Sequence, residues 1–135
     1  MADTITQEES FEYSLHNLLR WLHVMTLQPV ELCNAWGNYN VAWELVTDLK
    51  ADGCLAITSP ASYLTEDQKQ KVSAFLESLG TIPQSLLVSA TSTTENQEAM
   101  SHPRWAPFRE SAARLLQQLE PAAKRNRVFF NTQHP

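Results

Sequence analysis

The sequence predicts an all-α protein, a single domain of four to five helices, on three observations. Apolar residues recur at spacings of three and four along most of the chain, which is the period of a helix with one buried face. Only 3 of the 135 residues are glycine, whereas folds built from strands and tight turns ordinarily need more. Thr65 and Gln68 form a capping-box pattern, which marks a helix start. We place the domain at residues 10–130, between flexible ends at 1–9 and 131–135.

The first helix is expected to begin after Ser10, a favourable N-cap residue, and to end near Met25. Its buried face is predicted by apolar residues at helical spacing, namely Phe11, Leu15, Leu18, Leu22 and Met25. A separate polar row is formed by His16, Arg20 and His23.

The second helix is expected to open at Pro29 and to end at Gly53, since proline suits the first helical turn and glycine the position after the last. Its apolar stripe consists of Leu32, Trp36, Tyr39, Trp43, Val46 and Leu49. The apolar run that follows is either loop core or a short strand near 54–58, and a strand would shift the class to α+β.

A third helix is predicted after Thr65, with Gly80 as its stop, and Pro83 is expected to open a short fourth one. Residues 91–102 are polar and poor in core formers, which predicts a surface loop.

The final helix carries an apolar face of Phe108, Ala112, Leu115 and Leu119. Pro121 is expected to bend or end this helix. The apolar triplet 128–130 is expected to dock on the body, because two exposed phenylalanines favour aggregation.

Charge is distributed unevenly. Residues 1–100 carry a net charge of −9 and residues 101–135 one of +4, which together give −5. An acidic body argues against binding of a nucleic-acid backbone, which needs lysine and arginine to replace counterions. The C-terminal cations, including a possible stacking pair in Arg104 and Trp105, are therefore interpreted as a solvated helix face and a tail that folds back on the body.

The cellular setting expected from the sequence is the cytoplasm. The N-terminus lacks the basic and apolar regions of a secretory signal, and no apolar run approaches the ~18 residues of a membrane span. Two cysteines are too few for a disulfide framework, so Cys33 and Cys54 are both expected to be reduced and buried.

Motifs of the common catalytic and nucleotide-binding sites are absent from the sequence. His16 and His23 are two helical turns apart, too far to hold one metal ion unaided, and no Cys-x-x-Cys occurs. The sequence therefore predicts no catalytic residue, no metal and no cofactor.

The candidate binding residues lie around the segment 36–45, which combines two tryptophans and a tyrosine with asparagine and glutamate. Tryptophan and tyrosine dominate binding hot spots, so this mixture favours a surface that contacts another molecule. The predicted partner-binding residues are Trp36, Asn38, Asn40, Trp43, Glu44 and Asp48. The competing interpretation is a core helix whose tryptophans fill the interior, and both interpretations hold if one tryptophan is core while the polar flank binds.

In its size, its acidity and its helix rich in aromatic residues, asparagine and glutamate, the chain resembles the general class of bacterial immunity proteins, which neutralise a cognate toxin. The resemblance implies a small cytoplasmic protein that is not an enzyme and that occludes a basic toxin, with aromatic anchors that set specificity. One alternative is a secretion chaperone or adaptor, which would dimerise and expose an apolar groove for a peptide. Another is a small-ligand binder or enzyme with a pocket lined by Trp36, Trp43 and Glu44.

Overall fold

The structure, a computed structural model, describes residues 5–29, 31, 33, 41–87 and 92–133. It is 83% helical, and the described residues contain no strand. These residues form seven α-helices and one 3-10 turn: α1 (Gln7–Thr26), α2 (Val41–Thr58), α3 (Glu66–Leu79), α4 (Gln84–Leu87), α5 (Thr93–Met100), the 3-10 turn Pro103–Trp105, α6 (Ala106–Gln118) and α7 (Glu120–Gln133). The all-α class is confirmed, whereas four to five helices is too few, since six of the seven have at least seven residues.

The first helix begins earlier than expected, because Thr6 rather than Ser10 is its N-cap. The Thr6 hydroxyl accepts a hydrogen bond from the Glu9 backbone N–H at 3.0 Å, and the Glu9 carboxylate accepts one from the Thr6 N–H at 3.2 Å. This reciprocal pair satisfies two donors that a helix start otherwise leaves unpaired. All five residues predicted for the inner face of α1 are buried.

The predicted start of α3 is confirmed. Thr65 and Gln68 form the reciprocal box, with bonds of 3.1 Å and 2.8 Å. Val72, Phe75 and Leu79 are buried and Leu76 is half-buried, and their spacing of three and four places them on one side of the helix.

The second helix runs through Gly53 and continues to Thr58, so neither the expected stop nor the strand near 54–58 is correct. Gly53 is buried in mid-helix, and a Cβ atom added there would lie 2.8 Å from Leu76 Cδ1 on α3. Its missing side chain permits the close approach of α2 to α3, which offsets a helix-propensity deficit of about 1 kcal/mol.

The expected polar loop contains α5 instead. The hydroxyl of Ser92 accepts a hydrogen bond from the Glu95 N–H at 3.1 Å and caps this helix. Met100 and Asn96 are buried, and Asn96 is only 1% exposed. Its side-chain oxygen accepts a hydrogen bond from the backbone N–H of Val41 at 3.1 Å, so α5 caps the start of α2 from 55 residues away.

The helix α6 ends at Gln118, close to Pro121 as predicted, and α7 begins at Glu120. Proline is tolerated there because it lies in the first turn of the new helix. The expected docking of the triplet 128–130 is partial. Phe130 contacts Tyr13 on α1 with ring centroids 5.3 Å apart, whereas Val128 is 64% exposed.

The helix α1 is central to the packing. It contacts α2, α6 and α7, while α3 joins α2 to α6 on the far side. Among the residues that the structure describes, Trp105 is the largest side chain that is buried completely in this core. None of the described helices is long and apolar enough to cross a membrane.

Candidate functional site

The predicted partner-binding residues divide into two groups. Half of them lie outside the described residues: Trp36, Asn38 and Asn40. The other three occupy the N-terminal half of α2, where Trp43 is 48% exposed and Glu44 and Asp48 are half-buried.

Trp43 does not lie on the buried face of α2, although the sequence predicts it as part of the apolar stripe. Each three-residue step turns an α-helix by about 300°, so the positions 43, 46 and 49 drift by about 60° per step. Val46 and Leu49 are buried, and Trp43 is consequently turned toward solvent. Leu45, which the stripe omitted, is fully buried in its place.

Exposed residues of α2 form one continuous side of the helix, which we call the outer α2 face. They recur at spacings of three and four, and they are Trp43, Thr47, Lys50, Ala51, Cys54, Leu55 and Thr58. Lys50 is the one charged residue of this face. Leu55 is 53% exposed, so two large apolar side chains of this face, at positions 43 and 55, meet solvent. Exposed apolar groups with polar neighbours are typical of contact surfaces.

An acidic row flanks the outer α2 face. It consists of Glu44, Asp48 and Asp52, each one helical turn from the next. The Asp52 carboxylate accepts a hydrogen bond from the Trp21 indole N–H at 2.9 Å, which fixes this end of the row against α1. Burial, together with the negative charge of Asp52, raises the pKa of Asp48 above its usual value.

The two cysteines differ in their surroundings. Cys33 is buried as expected, and burial raises the pKa of its thiol. Cys54 is exposed on the outer α2 face, which corrects the expectation that both are buried. Cys54 lies one helical turn from the exposed residues Lys50 and Thr58, so its position on the helix turns the thiol toward solvent.

The cations of the C-terminal third are largely occupied in packing. Trp105 is completely buried and therefore cannot stack on a nucleic-acid base beside Arg104, whose guanidinium donates to the Thr81 carbonyl at 3.0 Å. The guanidinium of Arg125 lies 4.0 Å from the ring centroid of Tyr63 on the body, in agreement with a tail that folds back.

Sequence reasoning missed two contributors to this region. Asp52 repeats the spacing of Glu44 and Asp48, but it is not among the predicted partner-binding residues, because Gly53 predicts the end of the helix at this point. Leu55 lies in the run 54–58, for which the sequence predicts loop core or a short strand, whereas α2 continues through it. The i, i+4 repetition of the three acids was the available signal.

The pocket of Trp36, Trp43 and Glu44 remains a hypothesis, because Trp36 lies outside the described residues. Within the described part of the chain, no three or more His, Cys, Asp or Glu side chains are grouped so as to hold a metal ion. Comparisons of the chain with protein-family models, with curated proteins and with solved structures found no match. Function is therefore inferred from the residues and geometry of this chain.

Proposed function

We propose that this protein binds another protein through the outer α2 face and the acidic row, as an immunity- or antitoxin-type inhibitor that occludes a basic partner. The observation that carries the proposal is the exposed indole of Trp43 beside the carboxylates of Glu44 and Asp48. Tryptophan is enriched in hot spots, and a charged surround steers a partner of opposite sign. The net charge of −5 acts in the same direction.

The raised pKa of Asp48 supports a role in binding rather than in folding. A carboxylate that stabilises a fold has a lowered pKa, because the folded state favours its charged form. Asp48 has the opposite shift, so the folded protein holds this charge at a cost near neutral pH. A lysine or arginine from a partner, placed between Asp48 and Asp52, would relieve the repulsion between the two carboxylates.

The start of α2 is also held in place before any partner arrives. Asn96 caps the backbone N–H of Val41, which lies two residues before Trp43. The indole is therefore presented from a helix whose first turn is fixed by a buried contact. Presentation from a fixed element reduces the entropy lost on binding.

The decisive variant is Asp48→Asn, because the proposal predicts opposite effects of it on stability and on binding. Removing a charge that the fold disfavours should leave the protein at least as stable as wild type. The same change should weaken the partner complex. Trp43→Ala should also weaken it, by about 2 kcal/mol or ~30-fold in Kd, as expected for a hot-spot tryptophan. The matched control is Glu77→Gln, which removes one negative charge from an exposed position on α3.

Wild type and variants would be immobilised, exposed to lysate of the source organism, and their bound proteins identified by mass spectrometry. The purified partner would then be titrated by calorimetry at low and high salt, with urea unfolding of every variant. The proposal requires a basic protein that wild type and Glu77→Gln retain, that Trp43→Ala and Asp48→Asn lose, and whose affinity falls with salt. A partner that all four proteins bind equally would remove the outer α2 face as the interface.

A further inference from the structure

A cleft of about 460 Å³ lies between α1, α6 and α7, on residues that the proposed function does not use. This volume is within the range of small-molecule sites. Its apolar lining is supplied by the three helices in turn, through Leu19, Leu116 and Ala123. Leu19 and Leu116 are half-buried, so a bound apolar chain would remove further area from water.

The α1 side of the cleft carries the polar row that the sequence indicated. His16, Arg20 and His23 are all exposed and all line the cleft. The Arg20 guanidinium lies 5.2 Å from the ring centroid of Trp21 and forms no ion pair with any residue in the described part of the chain. A cationic group that has no ion-pair partner among the described residues thus borders an apolar cleft in a protein of net negative charge.

The α7 side of the cleft carries a cation that is already neutralised. Arg127 pairs with the Glu120 carboxylate at 2.8 Å, and both residues line the cleft. Glu120 is the one acidic residue among the residues that line the cleft. Because it pairs with Arg127, it does not neutralise the positive charge of Arg20.

The wall of the cleft is fixed by a buried contact. Asn126 is 2% exposed and donates hydrogen bonds to the backbone carbonyl of Glu12 at 2.9 Å and to its carboxylate at 3.0 Å. These bonds tie α7 to α1, so the cleft is formed before a ligand enters.

We infer that this cleft binds a small organic anion with an apolar chain, of the class of medium-chain carboxylates. The chain would cover Leu19 and Leu116, and the carboxylate would lie against Arg20, with the imidazoles of His16 and His23 as neighbouring hydrogen-bond donors. None of the lining residues belongs to α2. The inference therefore stands or fails separately from the proposed function.

The test is an NMR titration of the full chain with octanoate, and with octanol and octylamine as probes of equal chain length. Octanoate is expected to give saturable shifts of the backbone amides at Leu19, Arg20, Leu116 and Ala123. Octanol should bind more weakly because it lacks the charge, and octylamine most weakly because its charge has the wrong sign. Absence of a saturable octanoate shift, or equal affinity for octanoate and octylamine, would overturn the inference.

Substitutions then assign the charge. Arg20→Gln should weaken octanoate by about two- to fivefold, as expected for an exposed ion pair, and should leave octanol unchanged. Glu120→Gln should tighten octanoate by about twofold, because it releases Arg127 for the ligand. The matched control is Arg114→Gln, on the exposed side of α6 and outside this cleft. An equal loss in Arg20→Gln and Arg114→Gln would show that net charge alone governs binding and would refute the site.

Discussion

Tyr63→Phe is expected to lower the free energy of unfolding by about 2 kcal/mol, because it removes a hydrogen bond to a buried carboxylate. The Tyr63 hydroxyl donates to Glu12 Oε1 at 2.6 Å, and Glu12 is only 8% exposed. Asn126 donates to the same oxygen at 3.0 Å and remains after the substitution. Hydrogen bonds to charged groups contribute about 1.5–3 kcal/mol, and the remaining donor keeps the loss in the lower half of that range.

The substitution leaves the other contacts of the ring in place. The ring meets Phe11 edge to face with centroids 4.7 Å apart, and the Arg125 guanidinium lies over it. Phenylalanine retains both contacts, so the loss of stability reports the hydroxyl. For a domain of this length, the expected loss corresponds to a Tm lower by about 6–10 °C.

The assay is urea unfolding followed by circular dichroism, in a double-mutant cycle with Glu12→Gln. In the Glu12→Gln background the Tyr63 bond joins two neutral groups, so Tyr63→Phe should cost only about 1 kcal/mol there. An equal cost in both backgrounds, or a single variant within about 0.5 kcal/mol of wild type, would refute the charge-assisted bond.

The same bond predicts a change of stability with alkaline pH. Burial, and then the hydrogen bond to Glu12, raise the pKa of Tyr63 above its ordinary value. The unfolded chain therefore loses the phenolic proton first, so this stabilisation is complete below pH ~10 and is lost as the pH rises further. In the wild type, Tyr63 should lower the free energy of unfolding by up to about 1.4 kcal/mol for each pH unit above this point. Tyr63→Phe should lack that part of the decline.

Two further predictions concern the start of α2 and the thiols. Asn96→Ala should lower the free energy of unfolding in urea by about 1–3 kcal/mol, because it leaves the Val41 N–H without its buried acceptor. Hydrogen exchange of the backbone amides should also rise in the first turn of α2. Unchanged exchange there would contradict the cap. Cys54 should react with a disulfide reagent in the folded protein, whereas Cys33 should react only after unfolding, because it is buried and its pKa is raised. Two equally fast thiols would contradict the burial of Cys33.

The helices that the sequence predicts well are those whose signals are local. The inner face of α1 follows from apolar spacing alone, and the start of α3 follows from Thr65 and Gln68. A pattern of the same kind, with Thr6 and Glu9, starts α1, so the start of this helix is also marked by a local signal in the sequence.

The elements that the sequence does not predict depend on contacts between residues that are distant in the chain. The helix α5 buries Asn96 and Met100 within an otherwise polar segment, so its composition is that of a loop. Glycine ends helices in many proteins, but here the helix continues through Gly53, and Leu76 of α3 occupies the space that a side chain would need. Apolar spacing also gave the wrong face for Trp43, because several faces of a helix with many apolar residues fit the same pattern.

The net charge of a segment likewise does not show which of its charged side chains stabilise the fold and which are available to bind a partner. Arg125 over Tyr63 and Arg127 beside Glu120 contact groups of the same chain, so their charges are used within the folded protein. Asp48 lies one helical turn from Asp52, and burial together with that neighbouring charge raises its pKa, so the folded protein disfavours its ionised form. Under the proposed function a cationic group of the partner would compensate this charge, whereas a core interpretation of this helix supplies no such group. Asp48→Asn tests this account by two measurements: a stability at or above that of wild type would show that the fold disfavours the charge, and weaker binding of the partner would show that the charge serves the interface.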